Sequence, residues 1–501
     1  MSIAETATAF QAYVQEMLHY QEALTLMEWD LRTGAPKRGA ELRAEAIGTL
    51  SSQVFRMKTS DQMGDYLEKL GQVSADLDEV TRKSVREMQR EYDLYRKIPE
   101  DRFHEFVVLA SKSESVWEDA KRTSNFSLFQ PYLEKIVDFT REFVEYWGYT
   151  DSKYDTLLDQ YEQGMTVKQI DPIFTALRAE TITLLQAIQN AGQRVSEEGF
   201  RRHCDVASQR KLSLRLLEQM GYDFNAGRLD ETVHPFETSV NRYDVRVTTK
   251  FLPNDMRSAL FSTIHEGGHA LYEQGISPNL IGTPLAGGVS NGIHESQSRF
   301  WENFIGRSRE FWEYNYKHVL EVFPSQFADI SMDEFYRGIN YVQPSLIRIE
   351  ADELTYNLHI MVRYEIEKGL VDGTLAVKDL PEIWRARMKE YLGIEPDNDS
   401  EGVLQDVHWS DGSFGYFPTY SLGNIYAAQF AAAMAKALPD FKEQVRRGDL
   451  SQIRDWLRQN IHQYGKLRTP EEIVKQATGE DLDAKYLIAY LKDKFSALYG
   501  L

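Results

Sequence analysis

Apolar residues in the first part of the chain recur at helical spacing. In FQAYVQEMLHYQEALTLMEWD, Phe10, Tyr13, Val14, Met17, Leu18 and Leu24 fall on one stripe of a 3.6-residue repeat, and SVREMQREYDLYRK and ESVWEDAKR continue the pattern with dense charge. Pro36, Pro99 and Pro131 are the only prolines in the first 150 residues, so long helices are permitted there. Residues 1 to 160 therefore read as helical hairpins. The stretch IDPIFTALRAETITLLQAIQNAG predicts a further helix, with Asp171 before Pro172 as its start and Gly192 as its stop. Alternation appears once, in HPFETSVNRYDVRVTTKFLPN. There Val245 and Val247 alternate with Arg246 and Thr248, and residues 241 to 244 could turn a hairpin, which predicts a small sheet. NIYAAQFAAAMAKALPDF returns to helix, with alanines suited to close packing. No repeat, low-complexity segment or linker interrupts the 501 residues, so one mostly α domain spanning 1–501 is expected.

Charge narrows the possible partners. The chain carries 57 Lys+Arg against 77 Asp+Glu, a formal charge of −20, which repels nucleic acid and anionic lipid. Its single cysteine, Cys204, cannot form an intrachain disulfide. Glu5 and Glu16 stand where a signal peptide needs positive charge and then an apolar run, and no stretch has eighteen uninterrupted apolar residues. A cytoplasmic protein acting away from nucleic acid and membrane is expected.

The candidate chemistry lies in FSTIHEGGHALYEQG, residues 261 to 275. On a helix, His265 and His269 share a face and can offer nitrogens to one metal ion, while Glu266, rotated by about 100°, can reach an attacking water as general base. A zinc-type site needs a third protein ligand. Glu273 continues the ladder but sits about 12 Å along the axis from His265, far outside bonds of about 2 Å. The next candidate stretch is GVSNGIHESQSRFWENFIGRS, where Ser290 or Asn291 could cap a helix with Phe300, Trp301, Phe304 and Ile305 on its buried stripe. Glu295, projecting from its first turn, is the preferred ligand, because two histidines and one carboxylate leave a net positive site. His294 is the alternative. Gly267 and Gly268 would weaken the metal helix by roughly 2 kcal/mol, so they are expected to admit a neighbouring backbone, either the Glu295 helix or the small sheet.

Six ordered segments, HEGGH among them (HPF at 234, DVRVTT at 244, HEGGH at 265, HESQSR at 294, QPSLIRIEADELTY at 343 and GVLQDVHW at 402), resemble the motif series of the carboxypeptidase Taq family of metallocarboxypeptidases. WDLRTGAPKRGAELRA and YDTLLDQYEQGMT resemble that family too, so the likeness covers most of the chain. It implies a largely helical fold with a long narrow groove, like angiotensin-converting enzyme and neurolysin. Residues 1–160 would form part of the groove wall and 230–430 the catalytic core. It also implies release of single C-terminal residues with broad specificity, a homodimer, and one divalent metal per chain: zinc, with cobalt or manganese as alternatives. His265, His269 and Glu295 match the family's metal ligands and Glu266 its general base.

A carboxypeptidase must recognise a free carboxylate beside the metal, which calls for a planar, permanently charged donor. Arg348 is the first candidate; the competing reading pairs it with Glu350 or Asp352. Arg246 is the second, unless its strand is an edge that pairs with substrate backbone. For the developing oxyanion, DVHWSDGSFGYFPTYSLG offers His408 and Tyr420, with Tyr416 in competition for the tyrosine role. His234 is either groove wall or a structural turn. The rival readings are an oligopeptidase or dipeptidyl carboxypeptidase of the same fold and, more remotely, a non-catalytic peptide-binding scaffold.

Overall fold

The computed structural model describes residues 2–192 and 195–501. Its first four long helices, Ile3–Thr33, Ala40–Thr59, Asp61–Gln72 and Glu79–Arg96, build a core of their own. Phe10, Val14, Met17 and Leu24 from the first helix meet Met57, Met63, Leu67, Val85 and Met88 there. Each such burial is worth about 1.5–3 kcal/mol. A second and larger core takes residues from Ala120 to Tyr499. Cation–π stacking joins the two: Arg228 and Arg246 lie over the Trp29 ring, and Arg32 lies 3.5 Å from the Phe236 ring centre. Among the described residues no helix is long and apolar enough to cross a membrane.

The helix expected to start at Asp171 starts earlier. It runs Val167–Asn190, with Pro172 inside it and Thr166 as cap. Thr166 and Gln169 form a capping box, which satisfies two helix-end groups together and outcompetes the weaker Asp-Pro signal. The sheet is present, in the order β1-β3-β2. β1 (Leu229–Glu231) runs parallel to β3 (Asp244–Thr249), and β2 (Glu237–Asn241) runs antiparallel to it with an irregularity between Ser239 and Asn241. Val245 and Val247 are completely buried, as their alternation requires. β3 is central, so Arg246 is not on an edge strand.

The HExxH helix, Met256–Gly275, starts at Asp255, whose side chain accepts from the Arg257 backbone N–H at 3.0 Å. It is buried nearly all round, which explains its lack of a clean polar face. The next helix, Asn291–Arg299, is capped by Ser290 and widens into a π-helical segment, Phe300–Gly306. Phe300, Trp301 and Ile305 are buried as their stripe predicts, whereas Phe304 is only partly covered. Glu295 is the fifth residue of this helix and projects from its second turn, not its first.

The two glycines serve different neighbours. A methyl at Gly268 would fall 2.6 Å from the Gln297 carbonyl oxygen and 2.7 Å from the Ser298 Cα, so this glycine lets the Glu295 helix press backbone against backbone. Gly267 faces side chains instead: a methyl there would meet Leu217 Cδ2 at 2.7 Å. On the other side of Glu295, helix Pro418–Ala437 brings up Gly423, where an added Cβ would fall 2.7 Å from Glu295 Cβ. Glu295 is thus held between two helices, each thinned at the contact by a glycine.

Candidate metal centre and substrate site

His265, His269 and Glu295 each offer one ligand atom, and these atoms lie within 4.8 Å of one another. Glu295 Oε2 stands 3.5 Å from His265 Nε2 and 3.4 Å from His269 Nε2, so the carboxylate faces both imidazoles. Two nitrogens and one oxygen converging in a buried wall form a donor set that fits a small divalent cation.

Each donor is held by a further group. His265 Nδ1 lies 2.9 Å from Glu302 Oε2, and Glu302 in turn accepts from Arg299 and from Arg307 at 3.2 and 3.0 Å. His269 Nδ1 lies 2.6 Å from His294 Nδ1, and His294 Nε2 lies 3.0 Å from Glu273 Oε1. For His269 to use Nε2 as a ligand its proton must sit on Nδ1. His294 Nδ1 then accepts that proton's hydrogen bond, and His294 donates from Nε2 to Glu273. Glu273 also accepts from the Gly288 backbone N–H at 2.8 Å. Glu295 itself accepts from Arg299 Nε at 2.7 Å and from Ser298 Oγ at 3.0 Å. His294 therefore lies behind His269, not in the donor set, and Glu273, too far along the helix to be a ligand, anchors it.

The electrostatics favour a cation here. Burial alone would lower His265, yet Glu295 and Glu302 carry it up to about 10. Burial pulls His269 down to about 3, which keeps its nitrogens neutral. Burial opposes the charge on Glu295, but Arg299 and His265 hold it well below the usual carboxylate range. Glu266, beside His265, is pushed by burial up to about 7, close to the value that suits a base at neutral pH.

A second cluster lies one ring away. Arg348 sits in a single 3₁₀ turn, Arg348–Glu350. Its partner is neither Glu350 nor Asp352. Its Nε and Nη2 donate to Asp406 Oδ1 at 3.1 and 2.8 Å, and its Nη1 donates to the Tyr356 hydroxyl at 3.0 Å. Arg363, fully buried, donates to the other oxygen of Asp406 at 2.7 Å. Arg299 lies over the opposite part of this network, 4.5 Å from the Tyr356 ring centre, so Tyr356 links the arginine of Glu295 to Arg348.

His408 and Tyr420 meet, with Tyr420 Oη 3.4 Å from His408 Nε2, and Arg348 lies 4.9 Å from the Tyr420 ring centre. Tyr416 stands edge-on to Tyr420 at 5.3 Å. Burial pulls His408 down to about 4, despite the nearby Asp406. The other two candidates are placed differently. Arg246 is clamped by Asp244 through two bonds of 2.7 Å, and His234 is exposed in the turn before β2. Sequence reasoning missed Glu302, Arg299, Asp406 and Arg363. A weak signal existed for the first two, since Arg299 and Glu302 follow Glu295 by four and seven residues and share its helix face.

Two histidines and a glutamate converge from adjacent helices, with Glu266 beside the first histidine, which is the arrangement an HExxH metallopeptidase requires. The model of the carboxypeptidase Taq (M32) metallopeptidases matches residues 9–495, and the chain belongs to that family and is a metallocarboxypeptidase. It is similar to carboxypeptidase 1 of Bacillus subtilis, at 49% identity over 501 residues and 100% of both chains. It is similar to thermostable carboxypeptidase 1 of Thermus thermophilus, at 40% identity over 98% of this chain and 99% of that one. The crystal structure of the M32 carboxypeptidase from Deinococcus radiodurans superposes with a TM-score of 0.96 at 37% identity, covering 99% of this chain and 100% of that one.

Proposed function

We propose that this enzyme removes single C-terminal residues from peptides with broad specificity, using one divalent metal held by His265, His269 and Glu295. Zinc suits two nitrogens and one carboxylate, and cobalt or manganese would also be accepted. When bound, the metal polarises the scissile carbonyl and makes water more acidic. Glu266 takes the proton of the attacking water and returns it to the leaving amine. Arg348 grips the substrate's terminal carboxylate, and His408 with Tyr420 donates to the developing oxyanion, with Tyr416 bracing Tyr420. Peptides would lie extended along a groove walled in part by the N-terminal helices, in a cytoplasmic homodimer whose mass light scattering can measure.

One observation carries the exopeptidase reading: the buried guanidiniums of Arg348 and Arg363 share the single carboxylate of Asp406, so a second carboxylate is electrostatically welcome beside the metal centre. The test compares peptides with free and amidated C-termini. Wild type should cleave the free form at least tenfold better, and Arg348→Ala should abolish that preference by lowering kcat/KM about 10²-fold for free termini alone, as loss of a buried charge-assisted pair predicts. Equal cleavage of both forms by wild type would favour an oligopeptidase.

A further inference from the structure

Helix Lys153–Tyr161 and Glu162, which ends it, supply no group to the proposed reaction, yet both ends of this segment are fastened to it. Glu162 is fully buried. It accepts from Ser290 Oγ at 3.0 Å, from the Gly292 backbone N–H at 2.8 Å and from the Tyr426 hydroxyl at 2.9 Å. Ser290 is the cap of the Glu295 helix and Gly292 lies in its first turn, so Glu162 binds the helix end where unpaired N–H groups and the dipole favour a carboxylate. A methyl at Gly292 would fall 2.3 Å from Glu162 Oε2; only glycine admits the approach. Tyr426 belongs to helix Pro418–Ala437, the one whose Gly423 presses on Glu295. Glu162 therefore joins the two helices that bracket the third donor of the metal centre.

The opposite end holds the His408 loop. Tyr154, also fully buried, donates its hydroxyl to Glu367, which accepts in addition from Trp409 Nε1 at 2.8 Å and from the Gly415 backbone N–H at 2.9 Å. Trp409 follows His408, and Gly415 precedes Tyr416. Gly415 has φ of 92° and presses on the Leu157 backbone, where a methyl would fall 2.7 Å from the Leu157 carbonyl carbon. Tyr161 stands edge-on to Tyr416 at 5.1 Å. Two buried carboxylates, each fixed by three donors, are a costly choice where a leucine would pack. Their return is direction: each carboxylate can be satisfied in only one arrangement of its helix and loop.

We propose that residues 153–162 form a strut that sets the position of Glu295 relative to His408 and Tyr420, with Glu162 the positioning residue at the metal end and Glu367 at the loop end. This rests on the reading of His265, His269 and Glu295 as metal ligands. The test uses the full-length protein and the variants Glu162→Ala, Glu162→Gln and Glu367→Gln. Cobalt and zinc affinity is measured by competition with a chelator, the visible spectrum is recorded after cobalt loading, and kcat and KM are determined at saturating metal.

Glu162→Ala should weaken metal binding about tenfold, the low end of what losing an outer-sphere anchor does, and should shift the cobalt spectrum while KM stays unchanged. Glu162→Gln, which keeps an acceptor oxygen, should recover part of both. Glu367→Gln should leave metal affinity and spectrum unchanged and lower kcat about tenfold, less than the roughly 10²–10³-fold cost of removing an oxyanion donor outright, because the donor is displaced and not lost. Wild-type affinity and spectrum in Glu162→Ala would overturn the strut, as would metal loss in Glu367→Gln equal to that of Glu162→Ala. If Glu162→Ala does not fold, Tyr426→Phe removes one donor to Glu162 and is read the same way, with a smaller shift. A wild type that binds no metal would defeat the metal reading itself, whereas normal wild-type binding with an indifferent Glu162→Ala defeats only the strut.

Discussion

Two buried charge clusters of opposite balance stand on either side of Tyr356. Around His265 and His269, the carboxylates of Glu266, Glu273, Glu295 and Glu302 outnumber the guanidiniums of Arg299 and Arg307. Around Asp406 the balance reverses, since Arg348 and Arg363 share one carboxylate. Uncompensated buried charge is expensive, so under the proposed function a bound cation would offset the first imbalance and a bound anion the second. Such a pair of neighbours suits a hydrolase that must hold a metal and a substrate's terminal carboxylate at once.

Variants can separate the clusters by what rescues them. The largest effect is expected from Glu266→Gln, which removes the base without removing a ligand. Its kcat should fall about 10²–10⁴-fold, with metal content measured by atomic absorption unchanged. Loss of metal in this variant would move Glu266 into the donor set. Next, Asp406→Asn leaves two buried guanidiniums facing an amide, and should lower unfolding free energy by about 3 kcal/mol in a denaturant titration that added metal does not reverse. Glu302→Gln should weaken metal affinity about tenfold, and excess metal should restore its activity. Should Asp406→Asn respond to added metal as Glu302→Gln does, the division into a cation cluster and an anion cluster fails.

The same contrast explains what could be read from the chain. The candidate metal centre was legible because His265, Glu266 and His269 obey one helix period and Glu295 lies on the next helix, so local geometry decides most of the convergence of its donors. Its orienting groups were less so: nothing in the spacing of Glu273 and His294 shows that they meet, because an intervening loop brings Gly288 and His294 back onto the HExxH helix. The anion cluster draws on residues 348, 356, 363 and 406, and no repeat links those positions. Arg348 could be singled out, but its nearest acidic neighbours in sequence were the wrong partners, since the 3₁₀ turn points its side chain at Asp406. The small sheet followed from alternation. The glycines divided for a similar reason, because whether a bare helix face meets backbone, as at Gly268, or side chains, as at Gly267, depends on packing that the periodicity does not contain.

The smallest expected effect concerns pH and tests whether the loop next to the anion cluster is held by a neutral or a charged group. Burial pushes Glu367 from the ordinary 4.5 up to about 7, although Tyr154, Gly415 and Trp409 donate to it and the positive charge of Arg363 opposes the rise. A folded-state value above the unfolded one means the folded protein binds the proton more tightly. The stability this contributes is complete below 4.5 and is lost as pH rises through about 7. Relative to Glu367→Gln, which cannot ionise, wild type should lose on the order of 3 kcal/mol of unfolding free energy between about pH 5 and about pH 8. Denaturant titrations at matched metal saturation measure the difference, and the other buried carboxylates, Glu162 among them, cancel because both proteins contain them. Parallel curves would mean that Glu367 keeps one charge state throughout. The His408 loop would then be held by a permanent carboxylate, and the surplus positive charge of Arg348 and Arg363 would already have an answer within the fold.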